Sequence, residues 1–363
     1  MSFDLEEFIY RSQELGRGAD FIKETTHYAR NLIGQGLPVI FSPHHLAAYL
    51  DLDYDQLRYL IEHRNELYKF YEIKKKSGGT RAIVVPHANL RFVQQFIHSE
   101  ILAKVPVSRA AFGFVKERSI LHNAQVHTGK SALLNIDLFK FFDAVTEKRV
   151  SGIFRSLGYA KNLAWDLARL VTVVLPQSYY LHFKPGELEQ YRGIVQEHTA
   201  VLPQGAATSP VISNIILRKL DLRLAKFAEK NQLSYSRYAD DITFSGEVGR
   251  LPSIRLLTKV IREEGFLINY NKGGLHKKGR KQLVTSLTVS DGVHVHRKFK
   301  KEIAKHIYCC LTFGVDEHLK FLKMENKGLY KEWLLGKIYF VRSVEVAAAQ
   351  KLMTEFLKID WPS

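Results

Sequence analysis

Cysteine is nearly absent. The 363 residues hold two, Cys309 and Cys310, adjacent in what reads as a helix, where neighbouring side chains diverge too far for a bridge. A disulfide-stapled secreted scaffold is excluded, and a cytoplasmic location is expected. No stretch approaches the ~18 uninterrupted apolar residues of a membrane-spanning helix. The opening MSFDLEEFIY carries acids where a secretory leader carries cations, so neither membrane nor secretion is expected. No repeat recurs at a period of roughly 20–50 residues, which removes solenoids and propellers. Acid is in short supply: 37 Asp and Glu face 53 Lys and Arg, a formal net charge of +16. An excess of that size points to a polyanionic partner, and for a soluble protein nucleic acid is the commonest. What the chain has in quantity is core material, 46% hydrophobic and 12% aromatic, so it folds rather than remaining disordered.

Residues 1 to about 70 read as helical, with Ser42-Pro43 supplying an N-cap and first-turn proline. Two β-rich runs, Tyr68 to Ile73 and Arg81 to Val85, flank a basic turn on Ser77-Gly78-Gly79 and predict a hairpin ended by Pro86. From Asn89 to Val105, Leu90, Val93, Phe96, Ile97 and Ile101 fall on one helical face. Ser131 to Ile136 is a short apolar run ending on Asp137, the pattern of a buried strand. Leu175 to Val201 is polar, turn-rich and tyrosine-rich and is expected to form a second hairpin. Ser209 to about Lys230 predicts one long helix, and Leu233 to Phe244 two strands around Ala239-Asp240-Asp241. Beyond Val295 the chain reads as helical, with a boundary near residue 290. That order gives an α+β fold.

The informative residues are Asp137, at the end of one strand, and Asp240-Asp241, at a tight hairpin about a hundred residues later. An Asp-Asp pair in a hairpin is ordinarily a solvated turn. Here the pair interrupts two apolar strands, so a further reason for its presence is expected. If the strands are neighbours, three carboxylates converge, and like charges stay ionised together only when a cation neutralises them. Magnesium suits such oxygen ligands and keeps positions open for a substrate. Two Mg2+ ions about 4 Å apart would activate a sugar hydroxyl and stabilise a departing pyrophosphate, which is nucleotidyl transfer.

Four segments then resemble a known family: NIDLFKFFDAV at 135–145, LPQGAATSPVISNIIL at 202–217, YADDITFSG at 238–246 and EEGFLINYNKGGL at 263–275. In order and spacing they are similar to the reverse transcriptases, and within these to the retron reverse transcriptases of bacteria. Upstream, SGGTRAIVVPHANLRFVQQFI resembles the fingers motif, and GFVKERSILHNAQVHTGK carries the retron signature as Asn123, Ala124 and His127. The resemblance implies a right-hand polymerase: an N-terminal helical region at 1–70, fingers at 71–130, a palm at 131–290 with an antiparallel sheet flanked by helices (about 150–200 belonging with the fingers), and a C-terminal helical thumb at 291–363.

It also implies roles for single residues. Asp137, Asp240 and Asp241 resemble the metal-binding triad. Phe142 resembles the aromatic under the incoming sugar, a role its neighbour Phe141 suits equally. Gln204 and Gly205 resemble nucleotide contacts, and Arg81 and Lys74 the residues that hold the triphosphate, with Lys75 and Lys76 as alternatives to Lys74. Lys272 resembles the lysine that protonates the leaving pyrophosphate. Asn123 and His127 share a helical face and are expected to hold RNA or the palm. Retron enzymes carry Val-Thr-Gly near the end of the palm to recognise RNA, whereas here Val284-Thr285-Ser286 departs from it. Arg297, Lys298, Lys301 and Lys305 fit a thumb helix that follows a phosphate backbone.

The implied activity is RNA-directed DNA synthesis: copying part of a cognate structured noncoding RNA into a branched RNA-linked DNA, primed by a guanosine 2′-hydroxyl, in defence against phage. Deoxynucleoside triphosphates, the RNA and its RNA–DNA product, an effector protein and a host RNase H are the implied partners, since no room for a nuclease domain is expected after residue 290. The rivals are a defence reverse transcriptase that works without a template or primes on protein, and a catalytically silent nucleic-acid-binding module.

Overall fold

The computed structural model describes residues 3–74, 80–181, 183–324 and 328–362. The turn expected on Ser77-Gly78-Gly79, with Lys75 and Lys76, lies outside them. The strands are β1 (Tyr68–Lys74), β2 (Thr80–Pro86), β3 (Ala132–Asp137), β4 (Val173–Val174), β5 (Ala200–Val201), β6 (Ser234–Tyr238), β7 (Asp241–Gly246), β8 (Gly274–Lys277), β9 (Leu283–Val284), β10 (Leu287–Thr288) and β11 (His294–Val295). The chain gathers into two compact units, each assembled from separate stretches of sequence.

The first unit comprises Met1–Phe114, Leu138–Arg223 and Ser253–Asn269. It opens with helices Leu5–Glu14, Ala19–Gly34, Pro43–Tyr49 and Tyr54–Glu62. Their starts follow from caps: Asp4 accepts from the N–H groups of Glu6 and Glu7, Ser42 from that of His45, and Asp53 and Gln56 cap each other reciprocally. β1 and β2 pair antiparallel, with Ile73 opposite Arg81. Helix Ala88–Phe96 runs into a π-turn at Ile97–Ile101. Leu90, Val93, Ile97 and Ile101 are wholly buried, whereas Phe96 is only half-buried.

Two expectations need correction in this unit. The hairpin expected between Leu175 and Val201 is reduced to a two-residue ladder, Val173 with Val201 and Val174 with Ala200. Short helices Gln177–Tyr180 and Glu187–Arg192 occupy the intervening chain. The tyrosines that suggested strands instead pack edge to face, Tyr191 against Tyr180 and Phe183 at 5.6 and 5.3 Å. The single helix expected from Ser209 to Lys230 is interrupted at Leu217, giving Ser209–Ile216 and Arg218–Lys230. At Leu217 ψ is −3°, which tightens one turn without breaking the rod, since Asp221 N–H still donates to Leu217 O at 2.8 Å.

The second unit comprises Val115–Asp137, Leu224–Pro252 and Tyr270–Ser363. Its main sheet has the order β6-β7-β3-β8, antiparallel throughout. β3 is central and nearly all buried, which is why its sequence is an apolar run rather than an alternation. A second sheet, β11-β10-β9, shares a core with helices Arg297–Phe313, Val315–Phe321, Tyr330–Arg342 and Val346–Phe356 through Val284, Leu287, Ile303, Leu334, Ile338 and Phe356. Cys309 and Cys310 are free thiols on the first of these helices. Among the described residues no helix is long and apolar enough to cross a membrane.

Candidate active site

In the second unit, β3 lies beside β7 in a register that sets Asp137 opposite Asp241. Directly paired residues of an antiparallel ladder project to the same face, so the lone acid and the second member of the doublet share one end of one sheet. Asp240 stands in the preceding turn, where Tyr238 pairs with Asp241 and Ala239 adopts φ +55°. Asp137 is buried, and Lys272 donates to its Oδ2 at 2.8 Å. Packing, then the charges of Asp240 and Asp137, push the Asp241 pKa up to about 7, while the Lys272 ammonium pulls it down. Asp241 keeps an exposed edge, so mutual repulsion is the cause that persists under solvation. Burial alone would lower the Lys272 pKa. The hydrogen bond to Asp137 and the three carboxylate charges outweigh it and raise the value above the ordinary one.

Lys272 reaches Asp137 because Gly273 follows it. Gly273 has φ +86°, and a Cβ there would stand 2.3 Å from the Asn135 carbonyl oxygen on β3. Only glycine lets the chain pass so near the central strand. Behind the carboxylates the same face continues as polar pairs: Thr243 Oγ1 donates to Asn135 Oδ1 at 3.2 Å, and Asn135 Nδ2 to Leu283 O at 3.0 Å.

Asn123 and His127, expected to hold RNA or the palm, are 1% and 0% exposed, and their hydrogen bonds run to the main sheet. Ser236 on β6 donates to Asn123 Oδ1 at 2.6 Å, and His127 bridges the Ser236 and Ser245 hydroxyls at 2.7 Å each. The single hydroxyl hydrogen of Ser236 goes to Asn123, so His127 Nε2–H donates to Ser236. Burial, with Lys130 nearby, pushes the His127 pKa down to about 3, so the imidazole is neutral and its Nδ1 accepts from Ser245. Below its ordinary value of 6.5 the unfolded chain takes up a proton that the native histidine refuses. Native stability is thus expected to fall by about 1.4 kcal/mol per pH unit from pH 6.5 towards 3 on this account, and to be independent of it above. His306, pushed down to about 4 by burial and the adjoining His318, adds a slope of its own. Urea midpoints measured for wild type and His127→Gln isolate the first contribution: the variant is expected to be less stable at pH 7.5 and to depend less on pH. Equal slopes would refute the assignment.

Other expected residues belong to the first unit. Arg81 and Lys74 are exposed where the β1–β2 ladder ends at Lys74 and Thr80. Gln204 O accepts from Val84 N–H on β2 at 2.8 Å. Gly205 has φ +145° and lies so close that a Cβ would meet Val84 O at 2.7 Å. The Leu-Pro-Gln-Gly loop is thus seated on the strand that carries Arg81. Of the two candidate aromatics, Phe141 is buried against Phe266 at 5.9 Å, whereas Phe142 is partly open, so Phe142 is the ring a substrate can reach.

In the second unit Arg297, Lys298, Lys301 and Lys305 are exposed on a helix that buries Ile303, Ile307 and Cys310. Thr285 and Ser286 form the two-residue turn between β9 and β10, with φ +46° and +69°, the mirror-image turn that needs positive φ at both positions. Serine thus adopts at 286 the left-handed backbone that glycine takes most easily. Thr285 Oγ1 donates at 3.4 Å to the carbonyl of Ile120, the first residue of the helix that carries Asn123.

Residues 73–287, more than half of the chain, match the family described as reverse transcriptase (RNA-dependent DNA polymerase). Retron Mx65 reverse transcriptase of Myxococcus xanthus is 37% identical over 323 residues, which are 87% of this chain and 71% of that protein. The chain belongs to the retron reverse transcriptases. Retron Ec86 reverse transcriptase of Escherichia coli is 32% identical over 92% of this reverse transcriptase and 93% of its own length. Retron Mx162 reverse transcriptase of Myxococcus xanthus is 34% identical over 74% of this chain and 57% of that protein. A telomerase structure from Candida albicans aligns with a TM-score of 0.42 at 11% identity, over 79% of this chain and 55% of that one, too distant a likeness to argue from. The reverse transcriptase is an RNA-directed DNA polymerase.

Its family generally uses divalent metal ions. The donor set fits one: three carboxylates at adjoining strand ends offer hard anionic oxygens whose repulsion a cation would relieve. Among the described residues no three His, Cys, Asp or Glu side chains are placed to hold a metal ion as they stand, and the Lys272 ammonium engages Asp137. Ser236, Ser245, Asn135 and Gly273 were missed from sequence. The signals were there in part, in the alternation of Ser234 and Ser236 on β6 and of Thr243 and Ser245 on β7, and in the Gly273-Gly274 pair after a lysine.

Proposed function

We propose that this reverse transcriptase copies part of a cognate structured noncoding RNA into a branched RNA-linked single-stranded DNA, primed by a guanosine 2′-hydroxyl, using two Mg2+ ions. The observation that carries the reading is the register that sets Asp137 opposite Asp241, with Asp240 in the adjoining turn. Asp137, Asp240 and Asp241 would hold the ions. Bound there, the ions supply activation of the attacking hydroxyl and charge neutralisation at the departing pyrophosphate. Lys272 stays protonated beside the carboxylates and gives its proton to the leaving pyrophosphate. Arg81 and Lys74 hold the triphosphate, the first as a planar fork and the second as a point charge. Gln204 and Gly205 line the nucleotide. Arg297, Lys298, Lys301 and Lys305 follow the phosphate backbone as part of a helical thumb, and the Thr285-Ser286 turn meets the RNA. Asn123 and His127 support the palm. Antiphage defence with an effector protein, and template removal by host RNase H, complete the proposal.

The test is extension of a primer annealed to RNA by the purified protein, together with sequencing of nucleic acid that co-purifies. A Mg2+-dependent DNA complementary to the template and a branched RNA–DNA species of fixed sequence are expected; untemplated or protein-linked DNA would overturn the reading. Phe142→Ala is expected to raise ribonucleotide incorporation about 100-fold relative to deoxynucleotide, while Phe141→Ala mainly lowers stability by about 3 kcal/mol through a core cavity. Single-nucleotide incorporation kinetics separate the two, and unchanged sugar discrimination in Phe142→Ala would contradict the assignment.

A further inference from the structure

The turn that presents Asp240 and Asp241 is a two-residue loop, Ala239-Asp240, between the paired residues Tyr238 and Asp241. Of the two loop residues only Ala239 has positive φ, +55°. In the mirror-image hairpin turns that position is ordinarily glycine, because a Cβ disfavours the left-handed backbone by roughly 1–2 kcal/mol. Such a backbone persists where its surroundings hold it. One hold is evident: Arg237, on β6 two residues before, is 0% exposed, the largest wholly buried side chain among the described residues. Its Nη1 donates to Ala239 O at 2.9 Å.

That oxygen belongs to the peptide joining Ala239 to Asp240. A donor on it fixes the tilt of the peptide plane and therefore the direction in which both aspartates leave the turn. Ser236, the neighbouring strand residue on the opposite face, is held by Asn123 and His127, so β6 is fastened on both of its faces just before the turn. Burying a guanidinium is costly, so its place in the core calls for a reason. Its planar, rigid fork is what an orienting role requires and what a lysine cannot reproduce.

We infer that Arg237 is a positioning residue for the polymerase reaction, holding the left-handed Ala239 turn so that Asp240 and Asp241 point into the reaction centre. The inference rests on the proposed role of those two carboxylates. It predicts that Arg237→Met lowers kcat of primer extension about 100-fold, the effect of a misplacement near 1 Å, with the KM for deoxynucleotide changed less than about threefold. It further predicts that Ala239→Gly, which lets the turn form without a hold, returns about tenfold of the lost kcat in the Arg237→Met background. Arg237→Lys, which keeps the charge and the aliphatic stem, is the companion should Arg237→Met fail to fold, and the same Ala239→Gly rescue is expected there. Thermal unfolding of each variant separates folding from positioning.

Wild-type kcat in a folded Arg237→Met or Arg237→Lys, or a kcat loss that Ala239→Gly leaves unrescued in a folded variant, would overturn the inference. Asp240→Asn run alongside distinguishes the two levels: if it too extends primers normally, the carboxylate assignment has failed rather than the role of Arg237.

Discussion

Asp240→Asn is expected to reduce Mg2+-dependent primer extension by about a thousandfold or more, roughly 4 kcal/mol of transition-state stabilisation, while leaving RNA binding nearly intact. The substitution preserves shape, so the pairing of Tyr238 with Asp241 and the seating of the turn survive. On the proposed reading, what disappears is one anionic ligand in a group of three, and a neutral amide oxygen holds a divalent cation far less well. RNA binding, on the same reading, draws on a different property, the net charge of +16 and exposed cations such as Lys298, Lys301 and Lys305. It should weaken with salt equally in variant and wild type. Steady-state extension and a salt titration of RNA binding check both halves. Extension within tenfold of wild type would remove Asp240 from the reaction.

Gly273→Ala should be the most damaging single-methyl change in the second unit, costing about 3 kcal/mol or more of stability. The added Cβ would meet Asn135 O at 2.3 Å and Asn135 C at 3.0 Å, and these atoms are backbone of the central strand. They cannot yield without disturbing the ladder that sets Asp137 against Asp241. If the chain yields instead, Lys272 is carried away from Asp137, so extension should fall even in the surviving folded fraction. Gly274→Ala provides the contrast. Its φ of +139° is also unfavourable for a side chain, yet nothing lies within 4 Å of the added atom, so a loss of about 1 kcal/mol is expected. Urea midpoints for the pair check the difference, and equal stabilities would show that the close approach is not rigid.

Much of this arrangement was legible in the sequence, because the relevant signals are local. The apolar run into Asp137, the alternation on both sides of Asp240-Asp241 and the Ser42-Pro43 cap each depend on a few adjacent residues, and β3, β6, β7 and helix Pro43–Tyr49 appear where they were expected. What was not legible depends on partners distant in the chain. Asn123 and His127 are read as sharing a helical face that holds RNA or the palm, and only the placement of β6 and β7 shows them turned inward onto Ser236 and Ser245. Phe141 and Phe142 are equivalent by position, and the packing of Phe266 distinguishes them. The tyrosines between Leu175 and Val201 have strand propensity, yet their rings are better buried against one another on helical turns. Gly273 is one of 23 glycines, and its close approach to Asn135 is a property of strand pairing rather than of sequence.

The central claim is that Asp137, Asp240 and Asp241 grip the same cations. Anomalous diffraction from crystals of the protein with Mn2+, a primed RNA template and a non-reacting deoxynucleotide tests it most directly. Two manganese peaks within about 2.2 Å of carboxylate oxygens drawn from Asp137, Asp240 and Asp241, both lost in Asp137→Asn, are predicted. Manganese bound elsewhere, or peaks that persist in Asp137→Asn, would contradict it.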